Sequence, residues 1–316
     1  MTEGNTDNSP WAVLFPGQGS QEKGMGRDMA ERNKEVMQLW DKAESITGAP
    51  LRDIYWDGDE ETMAQTRYLQ PALTVVGLGV WQSYPFRDKP GYLAGHSVGE
   101  YPALAASGAL DPEEVLQLVA LRARLMAEAG EDHPGKMAAA LKLEQQSVDE
   151  VVAQARSQAG GELCVANYNT PQQLVISGSA GAVDKAAELI KERRGRAVPL
   201  PVSGAFHSPL MQPAAQELAA FMDRLHWSDA RIPIHMNASA TPERGAESIR
   251  DLLKRQIVSP VLWSQLIRDQ WDLGVRVWLE FGPRGVLSRM LPHILGKSDS
   301  WRAECIDSTD KLEPRS

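Results

Sequence analysis

The sequence predicts an α/β protein with a mostly parallel sheet, interrupted by a smaller inserted unit. Short apolar runs such as Trp11 to Phe15 (WAVLF) lack polar alternation, which suits strands buried on both faces. These runs alternate with helical patterns, the signature of a parallel sheet flanked by helices. The middle of the chain then switches to a βαββαβ order over about 70 residues, the ferredoxin-like unit.

The first strand, Trp11 to Phe15, stops at the turn-rich PGQGSQ. Helical spacing follows at Met29 to Ile46 and at Pro71 to Tyr84, then a strand at Tyr92 to Ala94 ending on Gly95. Helices are expected from Glu100 to Ala109 and from Asp111 to Ala129, the latter capped by Asp111. The inserted unit reads strand Met137 to Leu143, helix Ser147 to Ala159 and strands Glu162 to Asn167 and Gln173 to Ser177, then helix Ala180 to Arg193 and strand Arg196 to Val202. The large-domain pattern resumes with helix Pro213 to Leu225, strand Ile232 to Asn237, helices Ala246 to Gln256 and Val261 to Leu273, and strand Val275 to Phe281. The expected division is a flexible lead-in at 1–10, a large domain at 11–135 and 203–300, a small subdomain at 136–202 and a polar tail at 301–316.

Composition excludes several classes. With 33 Lys and Arg against 42 Asp and Glu, the net charge is −9, unlike the basic surface a general nucleic-acid binder needs. Two cysteines, Cys164 and Cys305, support neither a disulfide framework nor a zinc cluster and fit a reducing, cytoplasmic setting. The longest mostly apolar stretch, Ala72 to Trp81, is about half a membrane span, and the polar N-terminus is unlike a signal peptide.

Gly95-His96-Ser97-Val98-Gly99 matches G-x-S-x-G between a strand and a helix. Small flanking residues allow a sharp turn that lifts a serine hydroxyl above the sheet edge, beside free helix N–H groups. A serine hydroxyl is barely acidic at neutral pH and needs a base. Of six histidines, His96 adjoins the serine but is expected to point away, whereas His207 follows a strand where loops gather over a parallel sheet. On the residues alone, an ordinary turn at 95–99 and a structural histidine at 207 remain open.

A wider set of motifs bears on both. PGQGSQ at 16–21, GHSVGE at 95–100, Arg122 in LVALRARLM, NYNTPQQLVISG at 167–178, GAFHSPLM at 204–211, Gln256 in RQIVSPVLW and EFGPRGVL at 280–287 occur in that order. Together they resemble the malonyl-CoA:acyl-carrier-protein transacylases, part of the acyltransferase family that includes polyketide-synthase acyltransferase domains. The resemblance runs from about residue 12 to 292. It implies an α/β-hydrolase-like large domain with a ferredoxin-like insert, and ping-pong transfer of a malonyl group from malonyl-CoA, for fatty-acid synthesis. The acceptor is the phosphopantetheine thiol of an acyl carrier protein, and no tightly bound cofactor or metal takes part.

Carried over by position, the resemblance makes Ser97 the acylated nucleophile and His207 its general base. The N–H groups of Gln18 and Val98 become the oxyanion hole, and the main-chain carbonyl of Gln256 becomes an acceptor for the histidine in place of an acid. Arg122 becomes the partner of the malonyl carboxylate, because a guanidinium fork matches a carboxylate that cannot be buried unpaired. Arg124 falls on the outer face. Phe206 matches the position that reads the acyl α-carbon, and Met126, one turn after Arg122, is a candidate for the same pocket or for the core. Ala123 and Pro102 depart from the family pattern without removing a chemical group. A trans-acting polyketide acyltransferase or an acyl hydrolase would share Ser97 and His207, whereas a non-enzymatic carrier-binding scaffold has no need of Ser97, His207, Arg122 and Gln18 together. Acyl carrier proteins are typically acidic, so docking calls for a local basic surface. The densest candidate is Lys191, Arg193, Arg194 and Arg196, followed by Arg284, Arg289 and Lys297.

Overall fold

The computed structural model describes residues 10–312, so residues 1–9 of the lead-in expected at 1–10 and the end of the tail at 313–316 lie outside the described residues. Its strands are β1 (Trp11–Phe15), β2 (Tyr92–Gly95), β3 (Gly135–Leu141), β4 (Leu163–Thr170), β5 (Gln173–Ser179), β6 (Arg196–Pro199), β7 (Ile234–His235), β8 (Pro242–Glu243), β9 (Val277–Phe281) and β10 (Arg302–Ile306). They form a six-stranded sheet ordered β10-β9-β1-β2-β7-β8 and a four-stranded sheet ordered β4-β5-β3-β6. The larger sheet is parallel except for the β7–β8 pair. The smaller sheet is antiparallel throughout.

The uninterrupted apolar run of β1 has the cause its pattern suggests. Val13 and Phe15 pack into one core with the helix Thr66–Ser83, while Ala12 and Leu14 join Trp263 and Trp278 in a second core on the opposite face. Period-two alternation puts successive side chains on opposite faces, and here both faces are apolar. The small sheet packs its own core against the helices Gln145–Ala159 and Ala180–Glu192, with Val148, Val151, Leu189 and Ile190 buried. The small sheet is tied to the large domain at Val261, in the loop before the helix Trp263–Asp272; the Val261 N–H donates to Ala166 O at 2.8 Å and its carbonyl accepts from Tyr168 N at 2.9 Å.

Several boundaries differ from the sequence expectation. The helix expected from Pro71 begins at Thr66, with Pro71 in its second turn, where it has no N–H to give to the carbonyl four residues before it. The pattern at Met29 to Ile46 is two helices, Arg27–Arg32 and Lys34–Thr47, divided at Asn33, whose side chain caps the second by accepting from Glu35 N at 2.9 Å. Asp111 caps Pro112–Asp132 in the same way, accepting from Glu113 N at 2.8 Å. The strand expected at Ile232 to Asn237 shrinks to two residues, since Pro233 has no N–H for the ladder. The division that assigns 301–316 to a tail needs correction: Arg302–Ile306 is the edge strand β10, parallel to β9. Its half-exposed side chains lack the clean alternation that would reveal a strand.

Candidate active site

Strand β2 ends at Gly95, and the chain turns through Ser97 with φ of 53° into a 3-10 turn at Ser97–Gly99 and the helix Glu100–Ser107. A Cβ at Gly95 would lie 1.9 Å from the Gly99 backbone, and one at Gly99 would lie 2.1 Å from Phe15 O, so both positions require glycine. The left-handed conformation of a serine is strained and lifts its side chain above the sheet edge. The turn is secured from just beyond β7, because Asn237 Oδ1 accepts Ser97 N at 2.7 Å and Asn237 Nδ2 donates to Gly95 O at 2.7 Å.

Ser97 Oγ lies 2.7 Å from His207 Nε2. On the other side of the ring, Nδ1 lies 3.1 Å from both Gln256 O and Ser259 O. Carbonyls only accept, so Nδ1 carries the proton and the Nε2 lone pair faces the serine hydroxyl. Burial, with the nearby Arg122 charge and His96, pushes His207 down to about 3, so the imidazole is a free base at neutral pH. Among the described residues no carboxylate bonds to this ring. His96 instead meets Asn169 Oδ1 at 2.8 Å and packs on Trp263.

Arg122 is 1 % exposed. Its Nη1 donates to Gln70 Oε1 at 2.6 Å, and its Nη2 to Gln256 Oε1 at 3.0 Å and Ser97 Oγ at 3.1 Å. Its Nε has no partner, and among the described residues no Asp or Glu bonds to the guanidinium. A buried cation whose hydrogen-bond partners are all neutral can take an anion as a further partner. Burial holds Arg122 below the usual arginine range. Arg124 lies on the surface, paired with Glu128 at 3.0 Å.

A cleft of about 90 Å³ opens over the serine, lined by Ser97, Arg122 and His207 together with Gln18, Val98, Met126 and Phe206. The Gln18 side chain reaches Thr66 Oγ1 at 3.5 Å, which ties the PGQGSQ loop to a helix start. Gln256 sits beneath the cleft, and its side chain does more than sequence reasoning assigns to it. Besides offering its carbonyl to His207, its Nε2 donates to Ser97 O at 2.9 Å and to the Glu100 carboxylate. Sequence reasoning also passes over Gln70, Glu100, Asn237 and Ser259. Asn237 follows a strand adjacent to β2, at the same carboxyl edge as Ser97, and a polar residue at that position is the signal that could have found it. Glu100 is 1 % exposed, and burial pushes its carboxyl up to about 7. Among the described residues no cluster of three His, Cys, Asp or Glu could hold a metal, and no helix is long and apolar enough to cross a membrane.

Residues 12–309 match the model of the acyl transferase domain. The chain belongs to the acyl transferase domain family. Among relatives of this acyltransferase-family chain, the malonyl CoA-acyl carrier protein transacylase of Bacillus subtilis is 37% identical over 285 residues, 90% of each chain. An acyl carrier protein S-malonyltransferase from Vibrio cholerae superposes with a TM-score of 0.89 at 35% identity, covering 96% of this chain and 99% of that one. A malonyl-transacylase solved with its type II polyketide-synthase acyl-carrier protein gives a TM-score of 0.89 at 33% identity, covering 96% and 98%.

Proposed function

We propose that this acyltransferase is an acyl-carrier-protein S-malonyltransferase of fatty-acid synthesis. The observation that carries the choice of acyl group is Arg122, a buried guanidinium without a carboxylate partner, 3.1 Å from the atom that would be acylated. An acyl chain ending in a carboxylate completes that site, whereas an acetyl group leaves the charge unmet.

Ser97 Oγ attacks the thioester carbonyl of malonyl-CoA while its proton passes to His207 Nε2. The developing oxyanion lies against the N–H groups of Gln18 and Val98, a contribution of about 3–4 kcal/mol per donor. The C–S bond breaks, the imidazolium returns the proton to the CoA sulfur, and a malonyl ester remains on Ser97. The phosphopantetheine thiol of the carrier then repeats the steps in reverse, and Ser97 regains its proton. Neutral carbonyls of Gln256 and Ser259 stabilise the imidazolium less than a carboxylate would, which suits an ester that must outlast water. Phe206 and Met126 shape the acyl end of the cleft. No bound cofactor enters this scheme.

We read residues 136–202 as a ferredoxin-like insert in an α/β-hydrolase-like domain formed by 11–135 and 203–300. The β4-β5-β3-β6 order supports the insert, and the parallel sheet with the serine turn after β2 supports the host domain. Intact-protein mass spectrometry with malonyl-CoA tests the function. One malonyl mass is expected on the wild type and none on Ser97→Ala; a malonylated serine in that variant would end the assignment.

A further inference from the structure

Glu100 takes no part in the chemistry above, yet its carboxylate touches both amides that hold the nucleophile. One oxygen accepts the main-chain N–H of Asn237, and the other accepts an N–H of the Gln256 side chain. Asn237 in turn grips Gly95 O and Ser97 N, and Gln256 grips Ser97 O and Arg122. Glu100 is thus a single anchor for two clamps, reached from the first turn of the helix that follows the serine.

The Gln256 amide has only one workable orientation. Its Nε2 faces Ser97 O, which can only accept, and a Glu100 oxygen, while its Oε1 faces Arg122, which can only donate. Turned over, it would set oxygen against oxygen and N–H against N–H. Charge adds to this, because Glu100 and Arg122 attract each other across the intervening amide. A carboxylate in direct contact would occupy the guanidinium. Set one amide away, it offsets only part of the charge and leaves the remaining face of Arg122 for a ligand.

We propose that Glu100 is a positioning residue for acyl selectivity, orienting Gln256 and through it Arg122 towards a substrate carboxylate. The proposal rests on the reading that Arg122 receives the malonyl carboxylate. Glu100→Gln keeps the shape of the side chain but can accept only one of the two N–H groups. The quantity to measure is the ratio of Ser97 acylation efficiency, kcat/KM, with malonyl-CoA to that with acetyl-CoA. In Glu100→Gln this ratio is expected to fall by about tenfold to a hundredfold, the range for a lost hydrogen bond to a charged group. In a Gln256→Leu background the same change should move it by less than about twofold, since coupled residues are non-additive. A role confined to stability would lower both thioesters alike and add fully in the double variant. An unchanged ratio in folded Glu100→Gln, or full additivity, overturns the proposal. Should Glu100→Gln not fold by circular dichroism, the ratio is read in Glu100→Asp, whose shorter arm cannot span both donors; an unchanged ratio there also overturns it. Wild type that gains no malonyl mass would instead strike the underlying function.

Discussion

His207 and Arg122 are both buried, and each is set by what its neighbours cannot supply. Around His207, burial first and the Arg122 charge second oppose a further proton, so the folded ring stays neutral down to about pH 3. The unfolded ring protonates near its ordinary value of 6.5. Below that value the unfolded state therefore binds more protons, and stability falls as pH falls through this window. His207→Gln removes this linkage. Its stability relative to wild type should improve by roughly 2 kcal/mol between pH 7 and pH 5, read from urea titrations at each pH. The same variant should transfer malonyl at least about a thousandfold more slowly, because the proton shuttle is gone. No gain at pH 5 would mean that the ring takes a proton in the folded state. Arg122 gives the converse experiment. Arg122→Ala should cost about 3–5 kcal/mol in kcat/KM for malonyl-CoA and far less for acetyl-CoA. Equal losses would make Arg122 a structural residue.

At the scale of the element, the serine turn shows how a motif acquires force from its surroundings. The pentapeptide is legible in sequence, but the reason for its two glycines is not, because the obstructing atoms belong to Phe15 and to the turn itself. Gly99→Ala would force a Cβ against the Phe15 carbonyl, and overpacking against backbone is expected to cost about 3 kcal/mol or more. Gly181→Ala is the control, since it lies in the helix Ala180–Glu192 with nothing within 4 Å of its Cβ. It should be neutral or stabilising by up to about 1 kcal/mol. Equal denaturation midpoints for the two variants would show that the turn relaxes. Legibility elsewhere follows the same division. Strand β1 declares itself because burial on both faces forces an apolar run. Strand β10 does not, because a half-exposed edge tolerates Arg302, Glu304 and other residues that read as tail. Glu100 was visible within GHSVGE, but its partners lie 137 and 156 positions away, and no local pattern encodes that meeting.

For the whole molecule, the site lies where the small sheet is tied to the large domain, and charge decides how an acidic carrier could approach it. The Val261 bonds tie β4 to the segment that carries both acceptors for His207, and Leu262 N continues the link to Asn237 O at 3.1 Å. Leu200, just beyond β6, lines the cleft on the small-sheet side. With a net charge of −9, the overall field would repel an acidic partner, so docking needs a local patch. The run Lys191, Arg193, Arg194 and Arg196 is not uniform. Arg193 is held by Glu150 at 2.7 Å and by the Ser147 carbonyl, whereas Arg194 and Arg196 are exposed. Arg196 stands four residues from Leu200, roughly 13 Å along an extended strand, within the span of a docked protein whose flexible arm enters the cleft. Replacing Arg194 and Arg196 by Glu should raise the carrier KM about tenfold at low salt and flatten its salt dependence, with malonyl loading from CoA unchanged. Arg193→Glu should instead lower stability, because it sets two acids against each other. Carrier titrations at low and high salt separate the two effects. An unchanged carrier KM in the Arg194 and Arg196 variant would move the docking surface to the large domain, where Arg284 and Arg289 follow β9 at the carboxyl edge of the parallel sheet.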